Sequence, residues 1–378
     1  MRLAPSEVLA GRHRLLHAAI AQQQLDALVV TNLFNIRYLT NHVGTAGTLV
    51  VTRDALHMLI DFRYREAVAS LQASAAACPT LHQVSVPASY DEALVDALIS
   101  LGVSTVGIEA AHLTVARHEW LTRTLAARET AITLRSTERI VERQRLIKDR
   151  FECMVIRDAA SRLDAVADQS FVSLRAGTSE REVAGAIDGA LQAAGYDRPA
   201  FETIVASGPN SALPHHRAGA RNLKTGDLVV LDFGGILDGY CCDLTRMASV
   251  GTPSPEAQRL YESVRKAQQA AIDSVRPGVL PSAIDAAARN VLIGRGLGEA
   301  FGHGTGHGLG LEVHEEPRVG RPRSDTRESA LEPGMVFTIE PGAYIAGFGG
   351  VRIEDDVLVT ETGCEVLTSV PRDLRICG

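Results

Sequence analysis

The sequence predicts an α/β (α+β) protein of two domains, a small mixed α/β domain followed by a larger domain built from two similar halves. Three observations carry that expectation. The chain has 378 residues, more than one average domain needs. Residues 1–140 alternate helical and strand patterns, as a mixed sheet covered by helices requires. Beyond residue 150, one pattern occurs twice: an apolar strand that ends on an acid and a glycine turn.

In the first domain, Ser6 to Gln24 reads as a helix, because Leu9, Leu15, Leu16 and Ile20 recur at about one-turn spacing. Ala27 to Thr31 is a short apolar strand. Gly47 to Thr52 and Leu56 to Ile60 form a hairpin around Arg53-Asp54. Helices are expected over Tyr64 to Ala75, Tyr90 to Leu101 and Leu113 to Ala127, with Gly107 to Glu109 following a further strand. Two polar groups, Asn35, Arg37, Tyr38 and His42, then Asp61, Arg63 and Tyr64, are assigned to loops. They read as surface loop chemistry, or as walls of a substrate site completed by another domain or subunit. No catalytic cluster is visible in this half.

Glu138 to Arg150 (ERIVERQRLIKDR) is dense in charge and helical in composition, so residues 141–150 are expected to be a charged helical linker. The second domain, residues 151–378, then opens on a long helix around Phe151 to Leu174. Leu174-Arg175-Ala176-Gly177 precedes a helix starting near Ser179, where Glu182 completes a capping box. Val275-Arg276-Pro277-Gly278 precedes another, with Ser282 as its expected cap. Leu223-Lys224-Thr225-Gly226 leads into Asp227 to Gly234, and Leu331-Glu332-Pro333-Gly334 leads into Met335 to Gly342. The two stretches align without a gap, and Asp232 and Glu340 fall in the same register. Each half supplies a second strand with a central acid, Asp243 and Glu354. Two such halves facing each other would pool four carboxylates.

Taken alone, each acid has an ordinary explanation. Asp232 and Glu340 suit turn residues bonded to the glycine backbone after them, and Asp243 suits an ion pair with Arg246 or Arg352. The repetition weakens those explanations, because a buried, unpaired carboxylate costs several kcal/mol. Between the acids lies Gly302-His303-Gly304-Thr305-Gly306-His307-Gly308-Leu309-Gly310-Leu311-Glu312-Val313-His314. Its histidines are spaced four and then seven apart, and its alternating glycines permit close backbone approach. Four carboxylates with one imidazole suit two hard or borderline divalent ions, such as Mn²⁺, Co²⁺ or Zn²⁺. Bridged ions about 3.5 Å apart activate water and clamp a tetrahedral intermediate.

Composition narrows the partners. With 46% hydrophobic and 22% charged residues, the chain can bury a full core. A net charge of -7 disfavours a nucleic acid as partner, since phosphate binding needs clustered Lys and Arg. No run of about 18 apolar residues is present to span a membrane. The N-terminal stretch lacks an apolar export core. Six sparse cysteines, Cys78, Cys153, Cys241, Cys242, Cys364 and Cys377, show no CxxC spacing and suit reduced thiols, so cytoplasm is the expected compartment.

The motifs LDFG, CCDLTR, GTGHGLGLEVHEEP, IEPGAYI and GGVRIEDD resemble the pita-bread metallopeptidases of the Xaa-Pro branch, aminopeptidase P and prolidase. The resemblance covers essentially the whole chain and includes a creatinase-like N-terminal domain. It implies a pseudo-two-fold pita-bread catalytic domain. Asp232 would ligate one ion, His307 and Glu340 the other, and Asp243 and Glu354 both. It also implies attack on the scissile carbonyl by a hydroxide held between the ions, with Glu340 as proton shuttle. By the same resemblance, His215 helps bind substrate and the developing oxyanion, and His314 stabilises the tetrahedral intermediate. His303 and Arg352 line the site near the proline or its carboxylate. The substrate would be a peptide with proline second, whose tertiary amide lacks an N–H and whose ring fixes φ. A homodimer is implied as well. The ligand pattern leaves open dipeptidase against aminopeptidase. It also leaves a relative acting on a small non-peptide amide or amidine, by hydrolysis or as a lyase (creatinase- or ectoine-hydrolase-like). A non-catalytic binding module would be expected to show degenerate ligands and basic extensions, and the sequence shows neither.

Overall fold

The computed structural model describes residues 1–322 and 328–378, and its contacts divide the chain into units Arg2–Arg145 and Leu146–Gly378. The first unit is a six-stranded mixed sheet. Its strand order is Leu81–Ser85, Leu56–Ile60, Thr48–Thr52, Ala27–Val30, Thr105–Glu109, Thr133–Thr137. The Thr48–Thr52 and Leu56–Ile60 strands form the expected antiparallel hairpin, and the edge strands pair in parallel. Helices Ser6–Gln22, Phe62–Gln72, Tyr90–Ser100 and Val115–Ala127 fall where periodicity places them.

Two local expectations are corrected here. Asn35, Arg37 and Tyr38 lie on a helix, Leu33–Thr40, and not in a loop. The Asn32 side chain accepts from the Phe34 N–H and starts that helix, which buries Ile36 and Leu39. Eight residues are too few to display a period. Asp61 caps the helix Phe62–Gln72 by accepting from the Arg63 N–H, and its carboxylate pairs with the Arg63 guanidinium.

The charged segment is not one continuous helix. A helix spans Ile140–Leu146, and a second, Arg150–Val172, restarts behind Asp149, whose side chain accepts from Glu152 N while Glu152 reaches back. That capping box forces the break. Its charges are not all solvated either, since Lys148 is buried against Glu315 at 3.4 Å.

In the second unit, strands Leu228–Leu237 and Tyr240–Val250 form a long antiparallel pair, flanked by Ile204–Ser207, Arg198–Pro199 and Arg375–Cys377. A second sheet runs Glu315–Val319, Gly306–Gly308, Val336–Ile339, Asp355–Val359, Cys364–Val366. A two-stranded ribbon, Gly342–Ile345 with Gly349–Arg352, continues its Val336–Ile339 and Asp355–Val359 pair. Helices Pro255–Ser274 and Pro281–Ile293 bury Leu260, Val264 and Ile284 in one core with Val230, Met247, Phe337 and Ile339. Ser282 is not the cap of the second of these. Pro281 occupies the first helical position behind Leu280, and the Ser282 hydroxyl donates to Glu328.

The two halves answer each other with one difference. Asp232 sits in mid-strand rather than at a strand end, because the strand runs through Phe233 to Leu237. Its counterpart Glu340 interrupts the ladder, because Pro341 lacks an N–H and restricts the residue before it. The register holds across the break, with Ile339 opposite Asp355 and Gly342 opposite Arg352, so Glu340 faces Glu354. In the first half, Asp232 stands opposite Thr245 and Asp243 opposite Gly234, so those acids are diagonal neighbours on one face.

Candidate metal centre

Burial and strand direction bring the four acids together. Asp232, Asp243 and Glu354 are all buried. The Glu354 N–H donates to the Thr245 carbonyl at 3.2 Å, and the Glu340 N–H to the Thr305 carbonyl at 2.7 Å. One ligand atom each from Asp243, His307 and Glu354 lies within 4.8 Å of the others. His307 Nε2 is 3.4 Å from Glu340 Oε1 and 3.9 Å from Asp243 Oδ2. All five residues, with His215, His303, His314 and Arg352, line one cavity of about 710 Å³.

The glycines around His307 have a steric reason. A Cβ on Gly306 would sit 1.9 Å from the Thr338 carbonyl oxygen, and one on Gly308 2.1 Å from that of Glu316. The neighbouring strands therefore close on this backbone and hold His307 at the acids. The His307 Nδ1–H points to the Gly308 carbonyl at 3.1 Å, which leaves the Nε2 lone pair for the acids. Burial lowers the His307 pKa, favouring the neutral ring that a metal requires.

Without a cation the electrostatics are unfavourable. Burial, then the neighbouring Asp232, Asp356 and Glu340, push the Asp243 carboxyl well above the usual carboxylate range. Burial and then Asp243 and Glu340 do the same at Glu354, and burial raises Glu340. Asp243 Oδ1 is buried with no hydrogen-bond partner among the described residues. An orphaned Asp243 oxygen among raised acids, with the His307 Nε2 lone pair 3.9 Å from the other Asp243 oxygen, is a donor set that fits divalent cations.

The ordinary explanations for single acids do not hold. Arg246 pairs with Asp355 at 2.6 Å, and Arg352 with Asp232 at 2.5 Å. Thr245 donates to Glu354 Oε2 at 2.6 Å and accepts from Arg352 Nε at 3.1 Å. His303 Nδ1 lies 2.7 Å from the Gly304 carbonyl, and its Nε2 lies 3.0 Å from the Tyr344 hydroxyl, which accepts from Arg352 Nη1 at 2.8 Å. Burial lowers the pKa of His303. The His314 and His307 rings lie 4.3 Å apart, and burial followed by His307 lowers the pKa of His314. Thr245, Tyr344, His216 and Arg318, which also take part or line the cavity, were not legible as site residues. Only Thr245 carried a signal, since alternation puts it on the face of Asp243.

The fold and this acid cluster define a metallopeptidase with a separate N-terminal domain. The chain belongs to metallopeptidase family M24, whose pattern matches residues 155–361, and the creatinase/prolidase N-terminal domain matches residues 12–147. It is similar to a peptidase of Bacillus subtilis, YqhT, at 36% identity over 94% of this chain and 97% of that protein. The solved Xaa-Pro dipeptidase from Bacillus anthracis superposes with a TM-score of 0.90 at 34% identity, covering 97% of this chain and 99% of that one. The X-Pro aminopeptidase from Thermotoga maritima superposes at 0.84 with 30% identity, covering 95% and 99%. Among the described residues, no helix is long and apolar enough to cross a membrane.

Proposed function

We propose that the protein hydrolyses the peptide bond preceding proline, using two divalent metal ions held by Asp232, Asp243, His307, Glu340 and Glu354. The observation that carries this reading is the convergence of those five side chains on one cavity, with Asp243 Oδ1 buried and, among the described residues, without a hydrogen-bond partner. The relatives named for Xaa-Pro substrates support the substrate class. The oxygen-rich donor set suits Mn²⁺, with Co²⁺ or Zn²⁺ as substitutes. Such a pair supplies an activated water and polarises the scissile carbonyl.

The chain's own groups do the rest. Glu340 takes the proton of the attacking water and delivers it to the departing proline nitrogen. His314 and His215 face the same cavity and donate to the oxygen that gains charge. The Tyr344 hydroxyl holds His303 and Arg352 together, and the three form a wall suited to the proline ring. Arg318, exposed and lining the cavity, favours a dipeptide, because a free carboxylate after proline would meet its guanidinium. A homodimer in the cytoplasm completes the proposal.

A peptide panel tests it: Ala-Pro, a longer peptide with proline second, and Ala-Ala, each with and without added Mn²⁺. Metal-dependent turnover of the proline substrates alone is expected. Equal turnover of Ala-Ala, or full activity in excess chelator, overturns the reading.

A further inference from the structure

His215 belongs to a segment that carries no regular element of its own beyond the short turn Gly208–Ala212. Such a segment holds a side chain steadily only if its backbone is tied down. The ties converge on one residue outside the metal centre. Glu180, the first residue of the helix Glu180–Ala193, is fully buried. Its Oε1 accepts from the Ser207 N–H at 2.8 Å, the Ser207 hydroxyl at 2.6 Å and the Asn210 amide at 2.9 Å. Its Oε2 meets His216 Nε2 at 2.8 Å and the Gly219 N–H at 3.3 Å. One carboxylate thus gathers donors from the start, middle and end of residues 207–219.

On the other side, the Ser211 hydroxyl accepts from the Gly350 N–H at 2.8 Å, and Arg352 Nη1 donates to the Pro214 carbonyl at 3.4 Å. The segment is clasped between Glu180 and the ribbon that ends at Arg352, and Pro214, His215 and His216 are left facing the cavity. A buried carboxylate accepting this many donors is stiff, because releasing any one gives up a charge-assisted hydrogen bond and leaves a buried donor unpaired.

We infer that Glu180 is a positioning residue for His215, closing residues 207–219 on themselves so that the His215 ring stands over the substrate. This rests on the role in substrate binding given above to His215. Glu180 does not act on the metals, since its bonds tie it to the segment and to none of the four acids or the His307 imidazole.

The test is a double-mutant cycle on the metal-loaded enzyme with Ala-Pro as substrate. Glu180→Gln keeps the shape but gives up an acceptor, and a misplacement of about 1 Å lowers kcat/KM roughly tenfold to a hundredfold. Bound metal per chain and metal affinity stay unchanged. In a His215→Ala background the same change costs less than about threefold, because the group it positions is gone. Multiplying losses, or loss of metal in Glu180→Gln, overturn the inference. If Glu180→Gln does not fold, Asn210→Ala, which removes one amide from Glu180, carries the same cycle with a smaller loss. If His215→Ala alone leaves turnover unchanged, the role of His215 falls and this inference with it. If His215→Ala is impaired but the losses multiply, only the Glu180 link falls.

Discussion

Arg352 Nη2 stands 2.5 Å from Asp232 Oδ2, which joins the end of the ribbon strand Gly349–Arg352 to the middle of the strand Leu228–Leu237. The same guanidinium donates through Nε to Thr245, whose hydroxyl in turn donates to Glu354. One cation therefore orients an acid from each half. Arg352→Lys keeps the charge but cannot reach Asp232, Thr245 and Tyr344 together. Its kcat/KM on Ala-Pro should fall by about tenfold or more. Retention of full activity would show that the fork geometry is dispensable.

Thr245→Val removes the hydroxyl that aims Glu354 and leaves volume nearly unchanged. Groups that orient a ligand carboxylate are worth roughly tenfold to a hundredfold in metal affinity. Titration calorimetry with Mn²⁺ should show a loss of that size, with saturating metal restoring part of the turnover.

Glu340→Gln preserves shape and one oxygen but cannot carry a proton. Turnover should drop by about a hundredfold to ten-thousandfold, while near-ultraviolet circular dichroism stays that of the parent. A variant that unfolds instead would mean that Glu340 is needed for the fold.

The metal-free protein should respond to pH in a defined direction. Burial first, and then neighbouring acids, raise Asp243 and Glu354 above their unfolded values. A raised carboxyl contributes stability that is fully present below the unfolded pKa and is lost as pH rises through the folded one. The apo protein should therefore lose stability as pH climbs above the ordinary carboxylate range. Cation binding, which needs the ionised acids, should raise Tm more at higher pH. Scanning calorimetry with and without Mn²⁺ between pH 5 and 8 measures both arms. A metal-induced gain that shrinks as pH rises contradicts the sign.

Arg318→Ala should raise KM for Ala-Pro by roughly tenfold, the worth of about 1.4 kcal/mol of charge-assisted hydrogen bonding. A longer peptide with proline second, carrying no carboxylate there, should be nearly unaffected. Equal effects on both substrates would remove the preference for dipeptides.

Much of the fold was open to reading because it rests on patterns local in the chain. The hairpin at Arg53-Asp54, the capping box at Ser179 and Glu182, and the repeated strand-acid-glycine unit are all written in consecutive residues. The short helix Leu33–Thr40 and the restart at Asp149 escaped, because a single cap decides each and periodicity does not. The acids and His307 stood out because burial makes an unpaired carboxylate expensive, so two in matching register demand a common cause.

The sequence alone determined which residues could share a metal centre: Asp232, Asp243, His307, Glu340 and Glu354 are the chemically suitable donors, and the repeat says that two halves supply them. Only tertiary structure decided how they meet. It set Glu340 opposite Glu354 but Asp243 diagonal to Asp232, sent Arg352 to Asp232 and Tyr344, and put Thr245 and Glu180 behind the residues that face the cavity. Donor chemistry is a property of each side chain. Orientation depends on hydrogen bonds between residues more than a hundred positions apart, which no local pattern encodes.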